Sequence, residues 1–290
     1  MEEHPGDRAN GAAVKQQVRR HFASLAGEYG LRNYEAALER GKYPDIYMRH
    51  VRILEMLREQ PAGTILEIGV GGGQLLGELR SRGHEVYGAD LSPEMAAGAR
   101  DYVAGLHQDG AARLAAADIE HLCFRDGLFD VVVAAGVIEY LPDPAQALSE
   151  IARVLRDGGI AIVSIRNRLS LCKPLVALRN LLEELPVTRR GVQIGMTLLH
   201  RVLGRAPYRG PVFARRDFPW RFAQDLRRRG LEPLERAFYH FSVFPEPAER
   251  RFPRLSIPVG MRLERLSRSP LGYLGRGCIF MVRKRSPHAA

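Results

Sequence analysis

Between residues 64 and 165 short apolar runs and amphipathic stretches take turns, and that alternation leaves few folds open. "TILEI" (64–68), "EVYGAD" (85–90), "ARLAAAD" (112–118), "LFDVVVAAG" (128–136) and "IAIVSI" (160–165) read as strands. "QLLGELRSRG", "SPEMAAGARDYVAGL" and "DPAQALSEIARVLRDGG" read as the helices between them. The second of these opens with Ser92 as N-cap, Pro93 in the first turn and Glu94 near the positive end of the helix dipole. Gly83 is expected to end the first helix, and Gly158-Gly159 to follow the third. The apolar run "LFDVVVAAG" has the composition of a strand buried on both faces. Strand and helix in strict alternation predict an α/β fold with a doubly wound, mostly parallel sheet. "LEPLERAFYHF" and "GCIFMVRKR" bring the strands to seven.

The flanks are organised differently. The first residues, to about Gly11, are polar and are expected to be a disordered arm. Val14, Val18, Phe22 and Leu25 then fall at helical spacing, and a second helix fits "PDIYMRHVRILEMLREQ", stopped by Pro61-Ala62-Gly63. Residues 1–60 are therefore expected to form an arm and helical cap, and residues 61–290 the main domain. Two insertions interrupt that domain, at 166–214 and 242–275. The first carries the apolar helices "LCKPLVALRNLLEEL" and "VQIGMTLLHRVLG"; the second is rich in Pro and Arg.

Charge is unevenly placed. From Arg166 onward there are 26 Lys and Arg against 9 Asp and Glu, whereas the first 165 residues hold 17 against 24. Only four of the basic residues are lysine. A basic second half is compatible with nucleic acid, an anionic membrane surface or an acidic substrate. No run of apolar residues is long enough to cross a bilayer, and the polar start lacks a signal-peptide core, so a cytoplasmic protein is expected. Cys123, Cys172 and Cys278 have no metal-ligand spacing and read as buried free thiols, with no metal site.

The first strand runs into "LEIGVGGGQLL", a glycine turn of the sort that receives nucleotides. Two phosphate-binding patterns fail here. A P-loop needs Lys and Ser/Thr after its last glycine, and neither follows. The dinucleotide pattern G-x-G-x-x-G would need glycine where Gln74 or Leu76 stands. What fits is an acid, then alternate glycines: Glu67, Gly69, Gly71 and Gly73. Asp90, at the end of the next strand, is a carboxylate able to accept both hydroxyl hydrogens of a ribose.

On these residues the chain resembles the class I S-adenosylmethionine-dependent methyltransferases, in particular the small-molecule group of the ubiquinone and menaquinone biosynthesis enzymes. The resemblance covers residues 15–165 and implies a Rossmann-like sheet with S-adenosylmethionine as cofactor and S-adenosylhomocysteine as product. It places Glu67 near the cofactor's ammonium and the three glycines against its methionine part. It places Asp90 on the ribose and Leu91 and Met95 beside the adenine. The Asp118 carboxylate would accept from the adenine amine, and the Ile119 N–H would meet a ring nitrogen. Ala135, Gly136 and Val137, after the fourth strand, would line the methionine part. Tyr29 falls where relatives place a tyrosine near the cofactor carboxylate. An arginine shortly before the first strand would pair with that carboxylate, and Arg49 is preferred to Arg52. His121 is expected to face outward.

The acceptor is less legible. Relatives often carry His in the loop after the fourth strand, and here the pair is Glu139-Tyr140. Candidate bases are Glu139, Tyr140, His200, Tyr239 and His240, with Glu139, Tyr140 and His240 the residues expected to act on the acceptor. A carboxylate acceptor would need no base. The insertion at 166–214 is expected to be a helical lid that builds an apolar pocket from residues such as Leu171, Leu175, Ile194 and Met196. That favours a small apolar or aromatic acceptor methylated on oxygen, such as a natural product or quinone-like compound. An amphipathic surface leaning on a membrane, with a lipid acceptor, and a dimer interface are the rival readings of the same helices; the chain would be a monomer or a homodimer. Against nucleic acid, neither [DNS]-P-P-[YFW] nor a Pro-Cys motif is present, and the basic residues are not interleaved with stacking aromatics. A non-catalytic cofactor-binding scaffold is the remaining alternative.

Overall fold

The alternation becomes a single sheet of seven strands in the computed structural model, which describes residues 5–30, 33–34, 44–107, 112–170, 212–242 and 252–286. The strands are β1 (Thr64–Ile68), β2 (Glu85–Asp90), β3 (Arg113–Ala116), β4 (Phe129–Ala134), β5 (Leu155–Arg166), β6 (Leu231–Tyr239) and β7 (Gly277–Lys284). They lie in the order β3-β2-β1-β4-β5-β7-β6. The first five pair in parallel, and β7 runs antiparallel to β5 and β6. The order reverses between β1 and β4, whose last residues, Ile68 and Ala134, are register partners. The segments leaving those two strands diverge there and open a crevice at the carboxyl edge.

The helices are α1 (Pro5–Ala23), α2 (Asp45–Met56), α3 (Gln74–Ser81), α4 (Pro93–Leu106), α5 (Ala145–Val154), α6 (Pro219–Arg228) and α7 (Pro253–Leu263). Both faces of the sheet are covered. Leu66, Val132 and Ala161 pack with Leu148 and Ile151 of α5 and Phe222 and Leu226 of α6. Ile65, Val131 and Val133 pack with Ile53 of α2 and Leu75, Leu76 and Leu79 of α3. Val131–Ala134 is buried along its whole length, as its apolar run requires. Ser92 caps α4, its hydroxyl accepting from the Met95 N–H at 3.3 Å.

Two expectations are corrected. Helix α1 begins at Pro5, inside the stretch read as a disordered arm. Proline suits that place, because a first-turn N–H has no partner within the helix. Helix α5 stops at Val154 and β5 begins at Leu155, where the sequence read as continuing helix. Leu155 pairs with Phe129 and is fully buried, and the register then shifts before Val131 meets Ile160, with Gly158 at a φ of 74° in the bulge. The Pro- and Arg-rich stretch before β7, read as a second insertion, holds helix α7. Of the cysteines, Cys278 is buried but Cys123 is exposed, and Cys172 falls outside the described residues. The helices expected in 171–211, with Leu171, Leu175, Ile194, Met196 and His200, also fall outside them.

Candidate active site

A cavity occupies the crevice at the carboxyl edge, walled by the glycine turn, the ends of β1 and β2, the loops after β3 and β4, and helices α1 and α2. On its wall lie Tyr29, Arg49, Glu67, Gly69, Gly71, Asp90, Leu91, Met95, Asp118, Ile119, Ala135, Gly136, Val137 and Tyr140. These residues come from six separate stretches of chain, and the sheet edge gathers them.

The glycine turn is shaped by what touches it. Gly69 has a φ of 74°, and a Cβ there would stand 2.3 Å from Val137 Cγ2. Gly71 has a φ of 55°, and a Cβ there would stand 2.8 Å from the Tyr29 ring. Both positions thus need left-handed backbone and have no room for a methyl group. Gly73 differs. It lies off the cavity wall and packs against Ala99 of α4, so its lost side chain serves helix packing and the start of α3.

The opposite wall is tied down in the same way. A Cβ on Gly136 would meet the Arg49 guanidinium at 2.4 Å, and the Gly136 N–H donates to Ser164 Oγ at 2.8 Å. Arg49 therefore lies flat on the loop after β4, joining the N-terminal cap to the sheet. Arg52 points elsewhere, to Glu55 at 2.9 Å and to the Glu264 carbonyl at 3.0 Å.

The carboxylates are held unusually. Glu67 is buried, and its Oε2 makes no hydrogen bond within the protein. Burial pushes its carboxyl up to about 8, with Arg49 pulling the other way and Asp90 adding to the rise. A buried carboxyl with an unpartnered oxygen, on a residue of the cavity wall, is matched to a cation. Burial also pushes Asp90 up to about 6, against backbone N–H groups of Ser92, Gly71 and Val70. One Asp90 oxygen takes the Ser92 N–H at 2.9 Å. Asp118 accepts from the Glu120 N–H at 3.0 Å through Oδ1 and from Lys15 Nζ at 2.5 Å through Oδ2. Lys15 also pairs with Glu120.

This donor set fits a nucleoside with an amino-acid tail and no phosphate. It offers a bare carboxyl for an ammonium, a guanidinium for a carboxylate, and two further carboxylates for hydroxyl and amine hydrogens. Residues 66–163 match the family model described as a methyltransferase domain. They form a class I S-adenosylmethionine-dependent methyltransferase domain.

Relatives of that domain are diverse. Over 101 residues the chain is 40% identical to phosphatidylethanolamine N-methyltransferase of Cereibacter sphaeroides, covering 35% of this chain and 49% of that protein. Over 156 residues it is 32% identical to malonyl-[acyl-carrier protein] O-methyltransferase of Serratia marcescens, covering 54% and 55%. The chain thus spans about half the length of these curated relatives. The fold resembles that of magnesium protoporphyrin IX methyltransferase from Synechocystis PCC 6803 with bound S-adenosylhomocysteine, with a TM-score of 0.57 and 16% identity, covering 94% of this chain and 100% of that one.

The residues expected to act on the acceptor separate. Tyr140 is on the wall of the methyltransferase domain's cavity, with the Phe22 ring of α1 edge-on to it at 5.3 Å and the Arg166 guanidinium 5.9 Å from its ring centre. Burial, with the Glu139 carboxylate beside it, pushes its phenol up to about 12. Glu139 and His240 are not on the wall. Glu139 is buried behind it, 3.6 Å from Arg166 Nε, because the three-residue turn Ile138–Tyr140 sends adjacent side chains different ways. His240 sits past the end of β6 at a φ of 61°, with its N–H donated to Glu264 at 2.8 Å and Nδ1 3.7 Å from Asp45. Tyr239 is buried in the core beside Arg49. His121 is exposed, as expected.

Several wall residues had no sequence signal. Lys15, Phe22, Tyr34 and His50 come from the cap. His50 donates or accepts at both ring nitrogens, with Glu78 at 3.0 Å and Tyr34 at 3.4 Å. Burial lowers its pKa, although Glu78 opposes that shift.

Proposed function

We propose that the chain is an S-adenosylmethionine-dependent methyltransferase that methylates an oxygen of a small apolar or aromatic acceptor. The observation that carries this is one cavity lined by two kinds of group: the carboxylates of Glu67, Asp90 and Asp118, and the rings of Phe22, Tyr29 and Tyr140. The carboxylates suit a polar nucleoside, and the rings suit an apolar acceptor held beside it.

In this reading Glu67 holds the cofactor's ammonium, Arg49 its carboxylate, Asp90 the ribose hydroxyls, and Asp118 with the Ile119 N–H the adenine. When bound, the cofactor supplies a methyl group activated by its sulfonium. The chain's part is then to orient the acceptor oxygen in line and to exclude water. Helices α1 and α2, which precede residue 61, act as the cap that does so.

Deprotonating the acceptor is the remaining task. A Tyr140 phenol held near 12 does not accept a proton at neutral pH. Glu139 is off the wall, and both His50 nitrogens are engaged. Among the described residues no other wall group is placed as a base toward the rings. In this reading the acceptor oxygen is one already ionised near neutrality, such as a carboxylate or an acidic phenol, which needs no base. The test is to incubate the purified chain with cofactor and a panel of carboxylic acids, acidic phenols, alcohols and amines, and to measure S-adenosylhomocysteine formation. Turnover confined to the ionisable oxygens supports the reading; turnover only on amines or alcohols overturns it.

A further inference from the structure

The connection between β6 and β7 carries a surface that methyl transfer does not use. Helix α7 turns Ser256, Ile257 and Gly260 inward. Its other side is also apolar: Phe252 is 56% exposed, Leu255 58%, Val259 36% and Met261 41%. Leu255 and Val259 recur at helical spacing, with Phe252 just before the helix, and they stand on a side of α7 away from the stripe that packs on the body. Leu271 and Leu274, in the short turn Pro270–Leu274, are exposed as well. Large apolar residues gathered on one solvent face mark an interaction surface, where scattered ones do not.

The charges on this face have one sign. From Phe252 to Arg276 the sequence holds five arginines and a single acid, Glu264. Glu264 is buried and turned inward, toward the His240 N–H and Arg52. Arg254, Arg262 and Arg265 are exposed on or beside α7, while Arg268 pairs with Glu235 at 2.9 Å. The exposed face is therefore aliphatic and rimmed by guanidinium groups, and among the described residues of this connection no carboxylate is exposed.

Its position matters. Gly277 pairs with Arg166 at the end of β5 and with Tyr239 at the end of β6, so the connection lies along the carboxyl edge. Arg52 of α2 donates to the Glu264 carbonyl at 3.0 Å, and α2 gives Ile46, Arg49 and Ile53 to the cavity wall. The exposed face thus flanks the helix that closes the cavity.

We propose that the exposed face of α7, with the Leu271–Leu274 turn, docks on the surface of an anionic lipid bilayer. Aliphatic side chains with arginines between them match the boundary between acyl chains and acidic headgroups. Nucleic acid would call for several exposed rings to stack on bases, whereas the exposed side of α7 is mainly aliphatic, with Phe252 its one ring and Tyr273 of the neighbouring turn packed on Phe238. Among the described residues no helix is long and apolar enough to cross a membrane, so the contact is one of lying on the surface. Docked this way, the cap side of the cavity is held beside the bilayer, where an apolar acceptor partitions.

The test is co-sedimentation of the full chain with vesicles, and it needs no turnover. Vesicles of phosphatidylglycerol with phosphatidylcholine should capture the chain; phosphatidylcholine alone should not, and raised salt should weaken capture. L255E/V259E and R254E/R262E should each lower partitioning by at least about tenfold, with calorimetric cofactor affinity unchanged as the check on folding. The arginine pair lies wholly at the surface and keeps the test sound if the aliphatic pair fails to fold. No capture by anionic vesicles, or capture unchanged in the folded variants, overturns the proposal. Loss of tRNA retention in the arginine variant without any effect of the aliphatic one on vesicles would assign the face to nucleic acid instead.

Discussion

The Lys15 ammonium and the Asp118 carboxylate, 103 residues apart in the chain, meet at 2.5 Å across the mouth of the cavity. Lys15 is on α1 and Asp118 follows β3, so the pair fastens the first helix to the sheet edge. Both side chains are about a quarter exposed, which limits the contribution to stability to about 1 kcal/mol or less. K15M should therefore barely change the melting temperature. It should speed hydrogen exchange across residues 11–22 and raise the cofactor's dissociation rate. Unchanged exchange in α1 would show that the pair does not fasten it.

Asp90 should dominate cofactor affinity. Two charge-assisted hydrogen bonds from ribose hydroxyls, at about 1.5–3 kcal/mol each, make D90A at least about 100-fold weaker by calorimetry. Unchanged affinity would remove the ribose from Asp90.

Glu67 gives a pH dependence of definite sign. Its carboxyl is raised to about 8 in the folded chain, against 4.5 for the free group, chiefly by burial. The folded state therefore binds the proton more tightly than the unfolded state. Stability is greatest below 4.5, declines as pH rises toward 8, and levels off above that. E67Q cannot ionise, so it should melt at about the wild-type temperature at pH 5 and several degrees higher at pH 8.5. A cation held by Glu67 favours the ionised form, so cofactor binding near pH 7 should release a proton. Calorimetry in buffers of different ionisation enthalpy reads that release, and its absence would place the ammonium elsewhere.

The touching walls predict which small changes are not tolerated. G69A puts a methyl group 2.3 Å from Val137 Cγ2 on left-handed backbone. The backbone cost alone is about 1–3 kcal/mol. Cofactor affinity should fall sharply, and V137A should restore only part of it, because the φ of 74° remains. Full rescue would mean that the clash alone matters.

Tyr140 and Glu139 should separate in kinetics. Y140F keeps the ring against Phe22 and removes a phenol that does not titrate in the working range, so kcat should hold and its pH profile should keep its shape. E139Q removes a charge lying 3.6 Å from Arg166, so it should alter the KM for the acceptor before kcat. A collapse of kcat in Y140F would make the phenol part of the chemistry.

Much of this was legible because local pattern decided it. The strands β1, β2 and β4 are set by apolar runs, and Glu67, Gly69, Gly71 and Asp90 stand at their carboxyl ends, so the sheet alone brings them to one wall. Arg49 rather than Arg52 reaches the cavity, which helical phase within α2 decides. What escaped depends on distant contacts. Gly73 reads like its neighbours but answers to Ala99 of α4. Leu155 looked like the end of a helix, and its pairing with Phe129 made it strand. Glu139 and Tyr140 are adjacent in sequence, yet one three-residue turn puts only Tyr140 on the wall. His240 is removed from the cavity by the path of the chain beyond β6, which no local pattern fixes.

The contact of Arg49 with Gly136 and that of Tyr29 with Gly71 mean that two sides of the cavity belong to different parts of the chain: a helical cap and a sheet edge. A ligand lodged between them touches both parts at once. In the proposed reading it is a rivet, and the filled chain is a stiffer body than the empty one.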